Sequence, residues 1–124
     1  MENRTNIDIQ DRTFKFGVRI IQFVDKLPRT LSATELGKQL LRSGTSIAAN
    51  MEEANGAESK SDFIHKVSIA DKEARETPMW LGMIKAAILP NIPEVAELHI
   101  ECDEIVRILF AILRRARSTH ARPK

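Results

Sequence analysis

Three histidines, one cysteine and scattered acidic residues are the side chains here with the most direct route to chemistry. A dinuclear metal site in a helical protein needs Glu-x-x-His on two helices and a further Glu on each of two others. Neither copy of that pair is present. His65, His99 and His120 stand apart along the chain. In His99-Ile100-Glu101 the two polar side chains point about 200° apart on a helix, so they cannot share a metal. Cys102 falls on the apolar side of its segment with no histidine facing the same way. It reads as a small core residue, not a reactive thiolate. No Gly-rich phosphate loop or dinucleotide fingerprint occurs. The sequence therefore predicts no catalytic centre, no metal ligand set and no cofactor.

Three polar arrangements remain. Arg42, Ser46, Asn50 and Glu53 follow one another at helical spacing and form a stripe roughly 80° wide. Such a stripe is either a solvated outer face or a hydrogen-bonded contact that fixes register between helices or subunits. A second set, Ile69, Trp80 and Ala87 with Asp62, Glu73 and Glu76 among them, gives the third helical segment another partly apolar side. Trp80 either caps the monomer core or anchors a contact, since tryptophan is enriched at interaction hot spots. The third arrangement is a division of charge. Glu94, Glu97, Glu101, Asp103 and Glu104 precede Arg107, Arg114, Arg115, Arg117, Arg122 and Lys124, with no acid after Glu104. The asymmetry suits a helix dipole. The basic run also extends beyond the expected helix end, and so suits phosphate contacts. No aromatic residue is interleaved among these arginines, so base stacking has no evident support.

The elements that must position these groups are helical. Leu36, Leu40, Ile47, Met51 and Ala54 return to one face at about 100° per residue. Phe63, Val67, Ala70, Ala74, Thr77, Leu81, Ile84 and Ile88 do the same. Only the polar stretch Gly56 to Ser61 separates the two patterns, so the helices must lie antiparallel. The first helix is capped by Asp8 or Asp11 and runs to about Leu27, where Pro28 stops it. Its apolar set, Phe14, Phe16, Val18, Ile20, Ile21, Phe23, Val24 and Leu27, covers roughly 200°, against about 100° for an ordinary surface helix. A helix this widely apolar either sits deep in its own bundle or faces a second subunit; four-helix bundles leave every helix partly exposed, which favours the second subunit. Ser32 to Glu35 has capping-box spacing and starts the second helix. Gly56 ends it, and Ser59 or Ser61 caps the third. The apolar phase passes Pro78 unshifted, which predicts a continuous helix kinked there. Pro93 opens the fourth helix. Its buried side holds Val95, Leu98, Cys102, Ile105, Val106, Leu109, Ile112 and Leu113, and it fades near Arg117.

The expected fold is all-α, an up-down-up-down antiparallel four-helix bundle forming one domain over residues 1–124, with flexible tails at about 1–10 and 118–124. Five Gly and five Pro in 124 residues are too few for an architecture of many tight turns. A net charge of +2 implies no particular partner, so the distribution of charge matters more than its sum. One cysteine excludes an internal disulfide and suits a reducing compartment. The longest apolar runs fall well short of the roughly 20 residues of a membrane span. The expected setting is the cytoplasm, with no membrane partner.

Several segments together resemble a known family. They are Arg42-Ser-Gly-Thr-Ser-Ile-Ala-Ala-Asn50-Met-Glu-Glu53, Asp62-Phe63, Ile69-Ala70, Glu73-Ala-Arg-Glu-Thr-Pro-Met-Trp-Leu81 and, more weakly, Glu101-Cys-Asp-Glu-Ile105. They are similar to the bacterial four-helix-bundle proteins encoded in intervening sequences of large-subunit ribosomal RNA genes. Ala54 stands where that family usually shows Gly. The resemblance implies a small antiparallel bundle that assembles as a homo-oligomer, typically a pentamer, with no enzymatic activity. A related group, the accessory proteins of diversity-generating retroelements, implies basic surfaces that bind nucleic acid and a reverse transcriptase. The expectation is a non-enzymatic homo-oligomer that binds structured RNA or another nucleic acid through Arg107, Arg114, Arg115, Arg117, Arg122 and Lys124. Arg42, Ser46, Asn50, Glu53, Ile69, Glu73 and Trp80 are the candidate helix or subunit contacts. The alternative is a scaffold whose partner is another polypeptide.

Overall fold

A computed structural model describes the backbone of residues 4–121 and the side chains of residues 8–118. Arg122 and Lys124 lie outside the described residues, as does the side chain of His120. Four helices follow one another: α1 (Arg4–Asp25), α2 (Leu31–Asn55), α3 (Lys60–Ala87) and α4 (Pro93–Ala121). Each packs against two others in a closed ring, α1 with α2, α2 with α3, α3 with α4 and α4 with α1. The α2–α3 seam is the most extensive and the α1–α4 seam the least. This is the expected antiparallel four-helix bundle.

The core is the set of apolar rows read from the sequence, closed by α1. Leu40, Ile47, Met51 and Ala54 of α2 meet Val67, Ala70, Ala74, Leu81 and Ile84 of α3. Val95, Leu98, Cys102, Ile105, Leu109 and Leu113 of α4 complete it with Phe16, Ile20 and Phe23 of α1. Two boundaries differ from expectation. Helix α1 begins at Arg4, well before the expected caps at Asp8 or Asp11, and buries Ile9 to 1% exposure. An isolated apolar residue among polar neighbours gives no periodic signal, yet Ile9 extends the row Phe16, Ile20, Phe23 by a helical step of seven. At the other end α4 passes Arg117 and continues to Ala121.

The caps follow simple hydrogen-bond logic. Thr30, not Ser32, caps α2: its hydroxyl accepts from the Ala33 N–H at 3.2 Å. Ser59 caps α3 by accepting from the Asp62 N–H at 3.0 Å. Each satisfies one of the four amide donors a helix start leaves over.

Helix α3 runs unbroken through Pro78. Proline has no N–H, so the carbonyl of Ala74, four residues earlier, loses its helical donor. The thiol of Cys102 on α4 takes that place, donating to the Ala74 oxygen at 3.1 Å. Burial pushes the thiol pKa up to about 12, and the charges of Asp103 and Glu101 act the same way. The proton therefore stays on sulfur, where the contact needs it. Cys102 is a core residue, with a specific reason for being cysteine.

Candidate functional site

The polar stripe of α2 turns to several partners instead of closing on itself. Arg42 reaches across to α3, with its guanidinium 3.0 Å from Glu73 and 2.8 Å from Glu76. Glu76 also accepts from the indole N–H of Trp80 at 3.1 Å. Asn50 donates within its own helix to the Ser46 carbonyl at 2.9 Å. Glu53 pairs with Lys66 of α3 at 2.7 Å. The stripe is thus neither a purely solvated face nor one network. Its two ends clasp α3, and its middle is a local bond. Beneath the clasp the Thr77 hydroxyl lies 3.0 Å from the buried Ser43 hydroxyl and 2.8 Å from the Glu73 carbonyl. Ser43 escaped sequence reasoning, because a lone serine in an apolar row leaves no periodic trace.

Trp80 and Ile69 are half-buried, while Met79 and Met83 beside Trp80 are exposed and Ala87 is exposed. Trp80 therefore both covers core and borders an open apolar surface.

Burial alone would raise the Glu76 carboxyl, but the Trp80 and Arg42 donors together outweigh it and hold the pKa below its ordinary value. A depressed carboxyl contributes stability that is fully present above its unfolded pKa and is lost as pH falls through the folded one. Glu76→Gln should therefore cost most near neutrality. The gap between parent and variant should shrink as pH falls below 4.5, the ordinary carboxyl value. Urea titrations at several pH values would check this; a gap independent of pH would mean that Glu76 contributes no charge-dependent stability.

The acidic half of α4 has a partner the sequence did not reveal. Arg12 and Arg19 of α1 and Lys26 just past its end recur every seventh residue, about two helical turns, and face it. Arg12 forms a two-pronged bond with Glu101 at 2.6 and 3.0 Å. Arg19 lies 3.6 Å from Glu97, and Lys26 lies 3.0 Å from Glu94. These acids close the α1–α4 seam.

The basic half does not act as one block. Arg107 is held by Glu104 at 2.6 Å, and Arg117 donates to Ser68 of α3 at 3.0 Å. Arg115 is exposed but not free. Arg114 is exposed and makes no ion pair among the described residues. Phe110, Ala111, Arg114, Arg115 and Ser118 line one shallow depression of about 380 Å³. The expected absence of an aromatic among the arginines is thus corrected. Phe110, one turn before Arg114, is 53% exposed.

A last surface is apolar. Phe14 (64% exposed), Val18 and Ile21 form an open row on α1, and Leu41 of α2 is also exposed. Between them the helices approach closely: a β-carbon on Gly44 would lie 2.9 Å from two carbons of Ile20. The excess apolar breadth of α1 is therefore real and stays uncovered in the single chain. Among the described residues no group of three or more His, Cys, Asp or Glu is arranged to hold a metal. No helix among them is long and apolar enough to cross a membrane.

Comparison with known proteins places this arrangement. No curated protein matches the chain. A crystal structure of a protein of unknown function from the S23 ribosomal protein family of Bacteroides thetaiotaomicron VPI-5482 is similar at 34% identity and a TM-score of 0.82. The alignment covers 89% of this chain and 98% of that one. The family model for the 23S rRNA-intervening sequence protein matches residues 5–111, from the first turn of α1 to the turn of α4 that carries Phe110. Arg114, Arg115 and Arg117 stand beyond that match. Because that match takes in most of the chain and reaches all four helices, the chain belongs to the 23S rRNA-intervening sequence protein family.

Proposed function

We propose that this protein is a non-enzymatic, cytoplasmic homo-oligomer that binds nucleic acid through the basic end of α4. The observation that carries the reading is the exposed Arg114–Arg115 surface on a helical segment without a single acid after Glu104. The Arg114 guanidinium is available to a phosphate oxygen, and arginine suits that contact in geometry as well as charge. Assembly is supported by the open row Phe14, Val18 and Ile21, which a second copy would remove from water. The resemblance described above implies five copies. Repetition of the basic surface around a ring would let weak contacts add.

Light scattering on the full chain should give a mass several times 14.0 kDa. Fluorescence anisotropy with labelled RNA should show affinity falling steeply with salt and depending little on base sequence. Each phosphate neutralised contributes about −0.9 to the slope of log affinity against log salt on duplex and about −0.7 on single strands. The triple variant Arg114→Gln, Arg115→Gln, Arg117→Gln should bind more weakly, with a slope flatter by about those amounts for each phosphate it no longer neutralises. Its helical circular dichroism should be unchanged. Equal affinity and slope in parent and variant would move the interface elsewhere. Absence of any RNA or DNA binding at low salt would favour the second reading, a scaffold for another polypeptide, which the exposed α1 row and the Met79–Met83 surface also suit.

A further inference from the structure

The depression at the basic end of α4 has a feature that phosphate binding alone does not use. Phe110 sits on the outer side of the helix while its neighbours Leu109, Ile112 and Leu113 carry the core. Phenylalanine has no polar tip to satisfy in water, and it is not a strong helix former. Its exposed ring gains from a flat apolar partner. Arg114 stands four residues on, about 6 Å along the axis and on the same side of the helix. An aromatic face and a cation one turn apart match the two halves of a nucleotide, a base and its phosphate. Ser118, a further turn on, adds a hydroxyl at the rim.

We propose that the depression lined by Phe110, Ala111, Arg114, Arg115 and Ser118 takes an unpaired nucleotide of a single-stranded nucleic acid. The base stacks on the Phe110 ring, and the adjoining phosphate meets the Arg114 guanidinium. The inference rests on the nucleic-acid reading above and narrows it. In a duplex the base faces are already occupied by their neighbours, so the ring has nothing to cover. In a single strand, loop or bulge every base offers a face, and stacking tolerates any sequence. Charge complementarity favours this occupant over an apolar protein segment, because the depression is flanked by two arginines and no acid.

The test uses the full chain and two probes, a short fluorescent oligoadenylate and a blunt-ended RNA duplex. Phe110→Ala should weaken oligoadenylate binding by about 5- to 150-fold, the usual effect of removing one stacking ring. It should leave duplex binding within twofold of the parent, roughly the scatter of such measurements. Arg114→Gln should weaken both. Phe110→Leu keeps the apolar surface but not the aromatic face, so it should behave like Phe110→Ala. Parental oligoadenylate affinity in Phe110→Ala or in Phe110→Leu overturns the stacking role while leaving the phosphate contacts standing. A fall in assembly mass for Phe110→Ala overturns it in favour of a contact between protein surfaces. A parent that binds neither probe at low salt removes the nucleic-acid reading and this inference with it.

Discussion

Gly44→Val should destabilise the fold by about 3 kcal/mol, toward the upper end of what overpacking costs in a tight interior. The β-carbon alone would lie 2.9 Å from Cγ1 and Cγ2 of Ile20 and 3.2 Å from its Cβ. Ile20 is fully buried, with no open side to turn toward. Valine adds two methyl groups to that conflict, so α1 must move off α2. Against this stands the better helix propensity of valine over glycine, well under 1 kcal/mol. The clash wins. Gly82 supplies the control, since a β-carbon there would meet nothing within 4 Å. Gly82→Ala should stabilise by about 0.5–1 kcal/mol. Ile20→Ala alone should cost about 2–5 kcal/mol through the cavity it leaves. Combined with Gly44→Val it should cost less than the two singles added, because each change relieves the other. Urea midpoints at one fixed protein concentration would read all four variants. A Gly44→Val protein as stable as Gly82→Ala would show that the helices do not approach closely at Gly44.

Cys102→Ala should cost about 1–3 kcal/mol, the penalty for a buried polar group left without its partner. The orphan is the Ala74 carbonyl, which Pro78 has already deprived of its helical donor. Cys102→Ser should cost less than Cys102→Ala, since a hydroxyl can still donate. Pro78→Ala restores a backbone N–H four residues after Ala74, so the carbonyl no longer depends on the thiol. In that background Cys102→Ala should lose most of its penalty and retain only the small loss of packed sulfur. The coupling between two residues that share a backbone oxygen is the quantity to measure, by a double-mutant cycle in urea. Additive costs would mean that the 3.1 Å contact contributes nothing to stability.

The bundle was legible because its rows were regular. Leu40, Ile47 and Met51, or Val67, Ala74 and Leu81, repeat at helical spacing, and nothing in the structure displaces them. Ile9 and Ser43 were missed for opposite reasons, one an apolar residue in a polar tail, the other a hydroxyl in an apolar row. Thr30 was passed over because Ser32 offered the better capping-box spacing, although the hydroxyl two residues earlier is the one that meets the free Ala33 amide in the first turn. The polar stripe of α2 was visible as a stripe, but its partners lie on α3, and no rule of spacing within α2 names Glu73, Glu76 or Lys66. The α4 acids suffered the same limit. Their partners on α1 and at its end are some 70 to 90 positions away, as in the pairs separated by 68 and 89 residues. Only the closed ring of helices brings them together. Phe110 fell outside view because it sits in the apolar run between Arg107 and Arg114, where it reads as one more core residue, whereas on the helix it stands exposed one turn before Arg114.

That α1–α4 seam also sets an order of events. The α2–α3 hairpin joins neighbours in sequence across a short turn, so its closure loses little chain entropy. Bringing α1 to α4 closes nearly the whole chain, and the seam it forms is the least extensive of the four, edged by ion pairs at a partly wet surface. The expectation is that this contact forms last and parts first. Changes that strengthen the pairs of Arg12, Arg19 and Lys26 act on the rate at which the bundle comes apart and leave the rate of its formation nearly untouched. Stopped-flow unfolding of Arg12→Gln should therefore be faster than that of the parent while refolding stays nearly unchanged, and equal unfolding rates would remove this seam from what limits the lifetime of a folded copy.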